Sequence, residues 1–315
     1  MLRKLRWTVS IGLVIVVLAY GLISFLITQG LTKADRNPQE DHPSNHGLAF
    51  EDVQFLPRGG GPLLSGWYIA GDPSKPNVIF VHGLGSKRSG DKAVGIAAGL
   101  VRRGYSALLF DLRGHGDSAD GKISGGLFER LDVLGAFDYL RDHSVPSDRI
   151  GVLGFSMGAG TTVLAAGEEP ALRAVVLDSP YAAARSFVSH EAARKTVFPE
   201  WLTPIFVPTS ELMAATIYGI SLSAMVPEEA VQRIDYPVLV IHGAADTRIP
   251  LSNGMRVHAA AHPGSELWLV PGVDHVDAFI DYPVEYIERV DRYFHGRLTV
   301  DQAPLQRRLV IPAIL

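Results

Sequence analysis

Arg149-Ile150-Gly151-Val152-Leu153, running into Gly154-Phe155-Ser156-Met157-Gly158, is the stretch whose reading decides the fold. The first five residues form a short apolar run suited to a buried strand, and a helix is expected from about residue 158 to 168. A serine between two such glycines, at a strand-to-helix junction, sits on a turn too tight for larger neighbours, and its hydroxyl projects above the sheet. The helix that follows aims free backbone N–H groups and its positive dipole end at negative charge developing beside that hydroxyl. The pentapeptide alone arises by chance in many chains. Its setting, and the partners found downstream, give it weight.

Outward from this point strands and helices alternate. Upstream, Phe50–Leu56 and Leu64–Ile69 read as an antiparallel pair joined by Gly59-Gly-Gly-Pro62. Then come a strand over Asn77–Val81, a helix near 90–102, a strand over Ser106–Phe110 and a helix around 125–141 with Leu127, Leu131, Leu134, Phe137 and Leu140 on one face. Downstream, strands are expected at Ala174–Leu177, Val238–Ile241 and Glu266–Val270, with helices near 252–262 and 281–295. Apolar strands alternating with amphipathic helices indicate an α/β fold whose mainly parallel sheet is flanked by helices. Residues 180–235 interrupt the pattern; apolar and proline-studded, they are too long for a loop and read as a small helical cap inserted over the sheet. The alternating domain spans 49–296, and residues 297–315 form a tail with no expected structure.

The 315 residues carry a net charge of −4, 47% hydrophobic residues and no cysteine. Without a cysteine there is no disulfide, thiol nucleophile or zinc–thiolate site, and without a basic block a nucleic-acid partner is not expected. At the N-terminus Arg3, Lys4 and Arg6 precede 26 uncharged residues, Trp7–Thr32. As a helix these would span about 39 Å, against a hydrocarbon core of about 30 Å. No amphipathic pattern marks a buried core helix, so residues 1–32 read as a membrane anchor with a cytoplasmic N-terminus and an extracytoplasmic domain. A cleaved signal, with Ala19-Tyr-Gly21 as its site and a secreted product, is the rival. The polar residues 33–48, with two prolines, read as a linker lifting the domain off the membrane.

A serine hydroxyl needs a base, and the base an orienting acid. Of eleven histidines, His275 follows the last expected strand, where its ring can reach back over the sheet; His82, His115 and His242 sit on strand-end turns and read as turn-stabilising, the others as surface or structural. Asp246, after the penultimate strand, is favoured as the acid because Ser156, Asp246 and His275 then follow in the order this fold uses; Asp178 is the competing candidate. Two oxyanion donors are expected, the N–H of Met157 and that of Leu84 in the turn His82-Gly-Leu-Gly85.

His82-Gly-Leu-Gly85, Asp111-Leu-Arg-Gly-His-Gly-Asp-Ser118, Gly154-Phe-Ser-Met-Gly158, His242-Gly-Ala-Ala-Asp246 and Gly272-Val-Asp-His275, in this order over residues 50–295, resemble the α/β-hydrolase superfamily. More narrowly, they resemble its serine aminopeptidase and monoglyceride-lipase-like branch, including membrane-anchored α/β-hydrolase-domain proteins. The resemblance implies the triad Ser156, Asp246, His275, the oxyanion hole Leu84 and Met157, and no cofactor or metal. The expected activity is hydrolysis of a carboxylic ester, or a thioester or amide, with a small, lipid-like acyl substrate favoured over a peptide by the anchor and the apolar cap. Acyl transfer by the same residues, or peptidase action, are the alternatives. The His143-x4-Asp148 pattern seen in some acyltransferases falls in a helix-to-strand turn and is read as turn residues.

Overall fold

Among the described residues eight strands form one sheet, in which the third and fourth strands exchange places and the others follow chain order. The computed structural model describes residues 2–298 except 35, 37, 196, 197 and 200, so the expected tail beyond Leu298 lies outside the described residues. β1 (Glu51–Phe55) pairs antiparallel with β2 (Leu64–Ile69), and β2 with β4 (Ser106–Phe110). β4 runs parallel to β3 (Asn77–Val81), and from there β5 (Ile150–Phe155), β6 (Val175–Asp178), β7 (Leu239–Gly243) and β8 (Glu266–Val270) continue in parallel.

The central strands are apolar throughout because alternate side chains enter two cores, one on each face of the sheet. Ile79, Val81, Leu108, Phe110 and Val152 face a core shared with α3 (Glu129–Asp142) and α4 (Met157–Ala166). Val78, Phe80, Leu109, Leu153 and Ile241 face a second, shared with α2 (Ala93–Val101) and α10 (Pro283–Leu298). α3 begins at Glu129 rather than near 125 because Gly125 and Gly126 stand at φ 83° and 135°, outside the helical region. The Glu129 carboxylate then accepts the Ser124 and Gly126 N–H groups. At the C-terminal end a short α9 (Ala278–Asp281) precedes α10, which restarts at Pro283, a residue suited to a first helical turn.

Between β6 and β7 lie α5 (Arg185–Lys195), α6 (Val207–Tyr218) and α7 (Pro227–Ala230). The first two pack against the N-terminal helix and form the cap, whereas α7 packs on α4 and α8 (Ser252–Ala260) and so belongs to the body. α1 (Leu2–Leu31) is long and apolar enough to cross a membrane; every described side chain from Arg3 to Ala19 is exposed, and burial begins at Tyr20.

The segment expected to be a spacer is instead a strap lying on the domain. Glu40 pairs with Lys87 at 2.8 Å, Gln39 donates to Asp111 at 3.3 Å, and the His42 ring stands edge-on to Phe50 and Trp67 at 4.6 and 4.8 Å. Polar residues and prolines suit an ordered strap as well as a spacer; the partners that order it are distant in sequence.

Candidate active site

Ser156 joins β5 to α4 with φ 54° and ψ −118°, a conformation costing a side-chain-bearing residue on the order of 1–3 kcal/mol. It is held by its own N–H, which donates to Asp178 O at 2.8 Å, and by the closeness of β3. A Cβ on Gly158 would lie 2.1 Å from Val81 O, and one on Gly154 2.5 Å from Gly158 O. Both glycines are therefore required by contact.

His275 lies in the loop after β8 and Asp246 in the loop after β7. The structure brings them to the serine: His275 Nε2 is 2.8 Å from Ser156 Oγ, and His275 Nδ1 is 2.7 Å from Asp246 Oδ2. With its Nδ1–H donated to the carboxylate, the ring leaves Nε2 free to accept the serine proton. Asp246 Oδ1 accepts the N–H groups of Arg248 and Ile249 at 2.9 and 2.7 Å. Burial works against ionisation of Asp246, yet hydrogen bonds from His242, His275 and Ile249 hold its carboxyl well below the usual range. Asp178, the other candidate, bonds instead to the Tyr286 and Ser179 hydroxyls at 3.0 and 3.1 Å, and burial pushes it up to about 6.

Two features that the sequence did not signal fix these loops. Asp274 accepts the N–H groups of Thr247 and His275, each at 2.8 Å, and so ties the acid loop to the histidine loop. Asp91 accepts the Gly83 N–H at 2.7 Å and anchors the turn after β3 beside the serine. An aspartate in a loop has too many ordinary uses for either to be found without coordinates.

Leu84 sits on that turn and Met157 opens α4; among the described residues neither backbone N–H donates a hydrogen bond within the protein. Two histidines hold the turn. His82 Nδ1–H donates to Gly83 O at 2.8 Å while its Nε2 accepts from Leu112 N–H at 3.0 Å. His115 Nδ1–H donates to Arg113 O at 2.9 Å while its Nε2 accepts from Gly85 N–H at 3.3 Å. Both roles require neutral rings, and burial depresses both to about 4. Between pH about 6.5 and 4 the unfolded chain thus carries a proton on His115 that the folded chain refuses, so His115 lowers stability as pH falls through that window. The stability gap between wild type and His115→Gln, from urea unfolding at stepped pH, is expected to move toward the variant by up to about 3 kcal/mol on acidification from pH 7 to 4. A gap independent of pH would exclude this role.

His143 and Asp148 are not brought to the site; they precede β5, whereas Ser156 follows it. Two chambers meet at Leu84. One is apolar, about 80 Å³ and partly open to solvent, between α1, the cap and the body. The other is polar, lined by Lys33, Glu40, Lys87, Asp91, Arg194 and Arg248.

A family model described as alpha/beta hydrolase fold matches residues 76–205. An uncharacterized protein of Mycobacterium tuberculosis is 32% identical over 220 residues, covering 69% of this chain and 69% of that protein. The lysophosphatidylserine lipase ABHD12 of Xenopus tropicalis is 28% identical over 205 residues, 62% of this chain but 49% of the lipase. Among solved structures, an esterase of Pyrococcus furiosus superposes with a TM-score of 0.67 at 27% identity, covering 86% of this chain and 99% of the esterase.

Proposed function

The chain belongs to the alpha/beta-hydrolase superfamily, and from that premise we propose that it is a membrane-anchored serine hydrolase cleaving carboxylic esters through an acyl-enzyme on Ser156. The observation carrying this reading is the unbroken chain Ser156 Oγ–His275 Nε2 (2.8 Å) and His275 Nδ1–Asp246 Oδ2 (2.7 Å) on a strained elbow. Ser156 Oγ attacks the carbonyl carbon as its proton passes to His275, and Asp246 stabilises the imidazolium. The N–H groups of Met157 and Leu84 receive the oxyanion, with the N-terminal dipole of α4 behind the first. His275 then protonates the leaving group, and water repeats the sequence to release the acid. The esterase and lipase among the similar proteins support an ester substrate.

The anchor reading rests on α1. Its uncharged exposed stretch from residue 7 to 19 would span about 20 Å at about 1.5 Å per residue, and the uncharged run continues to Thr32, against a hydrocarbon core of about 30 Å. Arg3, Lys4 and Arg6 at its start favour a cytoplasmic N-terminus and a catalytic domain on the far side.

A fluorophosphonate probe tests the chemistry. The full-length protein is expected to form a covalent adduct, mapped by mass spectrometry to the peptide containing Ser156. Folded protein that gives no adduct, or an adduct elsewhere, overturns the reading.

A further inference from the structure

The last third of α1 is seated on the cap. Tyr20 Oη lies 2.8 Å from both Ile205 O and Thr209 Oγ1. Ser210 Oγ donates to Ser24 O at 3.0 Å, Gln29 Nε2 to Tyr218 Oη at 2.6 Å, and Ile27 is buried among Ala192 and Phe206. Ile123 N–H donates to Thr32 O at 3.2 Å and ties the end of the helix to the body.

These same turns line the apolar chamber, Thr28, Leu31 and Thr32 together with Ala214, Leu222, Met225 and Leu84. The threonine hydroxyls are already bonded to helix carbonyls, Thr28 to Ser24 O at 2.8 Å and Thr32 to Thr28 O at 2.9 Å. The two lining carboxylates are paired, Glu191 with Arg248 at 2.9 Å and Glu211 with Arg185 at 2.6 Å. Such a lining gives a polar ligand few partners and suits hydrocarbon. Across Leu84 the polar chamber carries four basic side chains and two acidic ones, so the pair of chambers matches a single-tailed amphiphile. In the cap Trp201, Ile205 and Leu212 are 77%, 55% and 63% exposed, apolar surface suited to a membrane interface.

We propose that the membrane helix is itself a wall of the substrate pocket, with Thr28, Leu31 and Thr32 setting the length of hydrocarbon chain the site accepts. This deepens the ester-hydrolase reading and rests on it for the chemistry at Ser156. It makes α1 a specificity element as well as an anchor, and the substrate a long-chain monoacyl ester.

The full-length chain in nanodiscs of dioleoylphosphatidylcholine is assayed on p-nitrophenyl acetate and p-nitrophenyl laurate. Leu31→Trp is expected to lower the laurate-to-acetate ratio of kcat/KM by about tenfold or more, and Leu31→Ala to move it toward the longer ester. Leu18→Trp, on the exposed stretch, is expected to leave the ratio unchanged. A ratio untouched by Leu31→Trp, or moved equally by Leu18→Trp, overturns the proposal. A diazirine-bearing stearic acid photolysed on the Ser156→Ala protein reads the pocket without turnover. Crosslinks at Thr28, Leu31 or Thr32 that Leu31→Trp abolishes are expected; crosslinks confined to residues 3–19 overturn it. Should those crosslinks form while neither ester is hydrolysed, the hydrolase reading falls and the pocket stands.

Discussion

Alanine at His275 is expected to lower kcat on an activated ester by about 10⁶-fold, and alanine at both His275 and Ser156 to lower it no further. In the proposed mechanism His275 Nε2, 2.8 Å from Ser156 Oγ, is the base that makes the hydroxyl a nucleophile, so neither partner works without the other. A residual rate of about 10³–10⁴ over water should survive in all three proteins, because Leu84 and Met157 still offer their N–H groups to a carbonyl under attack by water. Pre-steady-state turnover of a p-nitrophenyl ester by the two single variants and the double variant measures this. If the two losses multiply, Ser156 and His275 are not one catalytic unit, and the mechanism is wrong.

Asparagine at Asp246 is expected to cost about 10⁴-fold in kcat, while asparagine at Asp178 costs less than about tenfold. An amide at position 246 turns a donor toward His275 Nδ1, which now bonds to the carboxylate at 2.7 Å; the ring must then carry its proton on Nε2 and cannot accept one from the serine. Asp178 is buried at the end of β6, but its oxygens serve Tyr286 and Ser179, so its replacement should appear as lost stability. Rates and thermal melts of both variants separate the two carboxylates. Equal losses of kcat would return Asp178 to contention.

Asp178 shows where chain order stops being informative. Asp178 ends one parallel strand and Asp246 follows the next, and the local sequence around each is compatible with a triad acid. The decision lies in the loop after β7, where the N–H groups of Arg248 and Ile249 and the Asp274 cross-link turn Asp246 toward His275. Gly154 and Gly158 are the opposite case. Their necessity was readable in advance, because a strand-to-helix turn with a serine at its apex imposes close backbone contact wherever it occurs. The α3 start falls between the two. The apolar spacing from Leu127 marked the face of the helix, but the left-handed backbone at Gly125 and Gly126 is a property of the turn around Glu129.

By itself, the amino-acid sequence determined the alternation of strands and helices, the elbow at Ser156 and the uncharged run of α1, because each follows from short-range sterics and hydropathy along neighbouring residues. Only the tertiary structure decided which carboxylate meets His275, that residues 38–48 strap onto the domain, and that the last turns of α1 line the chamber reaching Leu84. Those outcomes depend on contacts between residues far apart in the chain, such as Tyr20 with Thr209 or Glu40 with Lys87. Local propensity carries no record of which distant surfaces will meet; strand order and packing settle that.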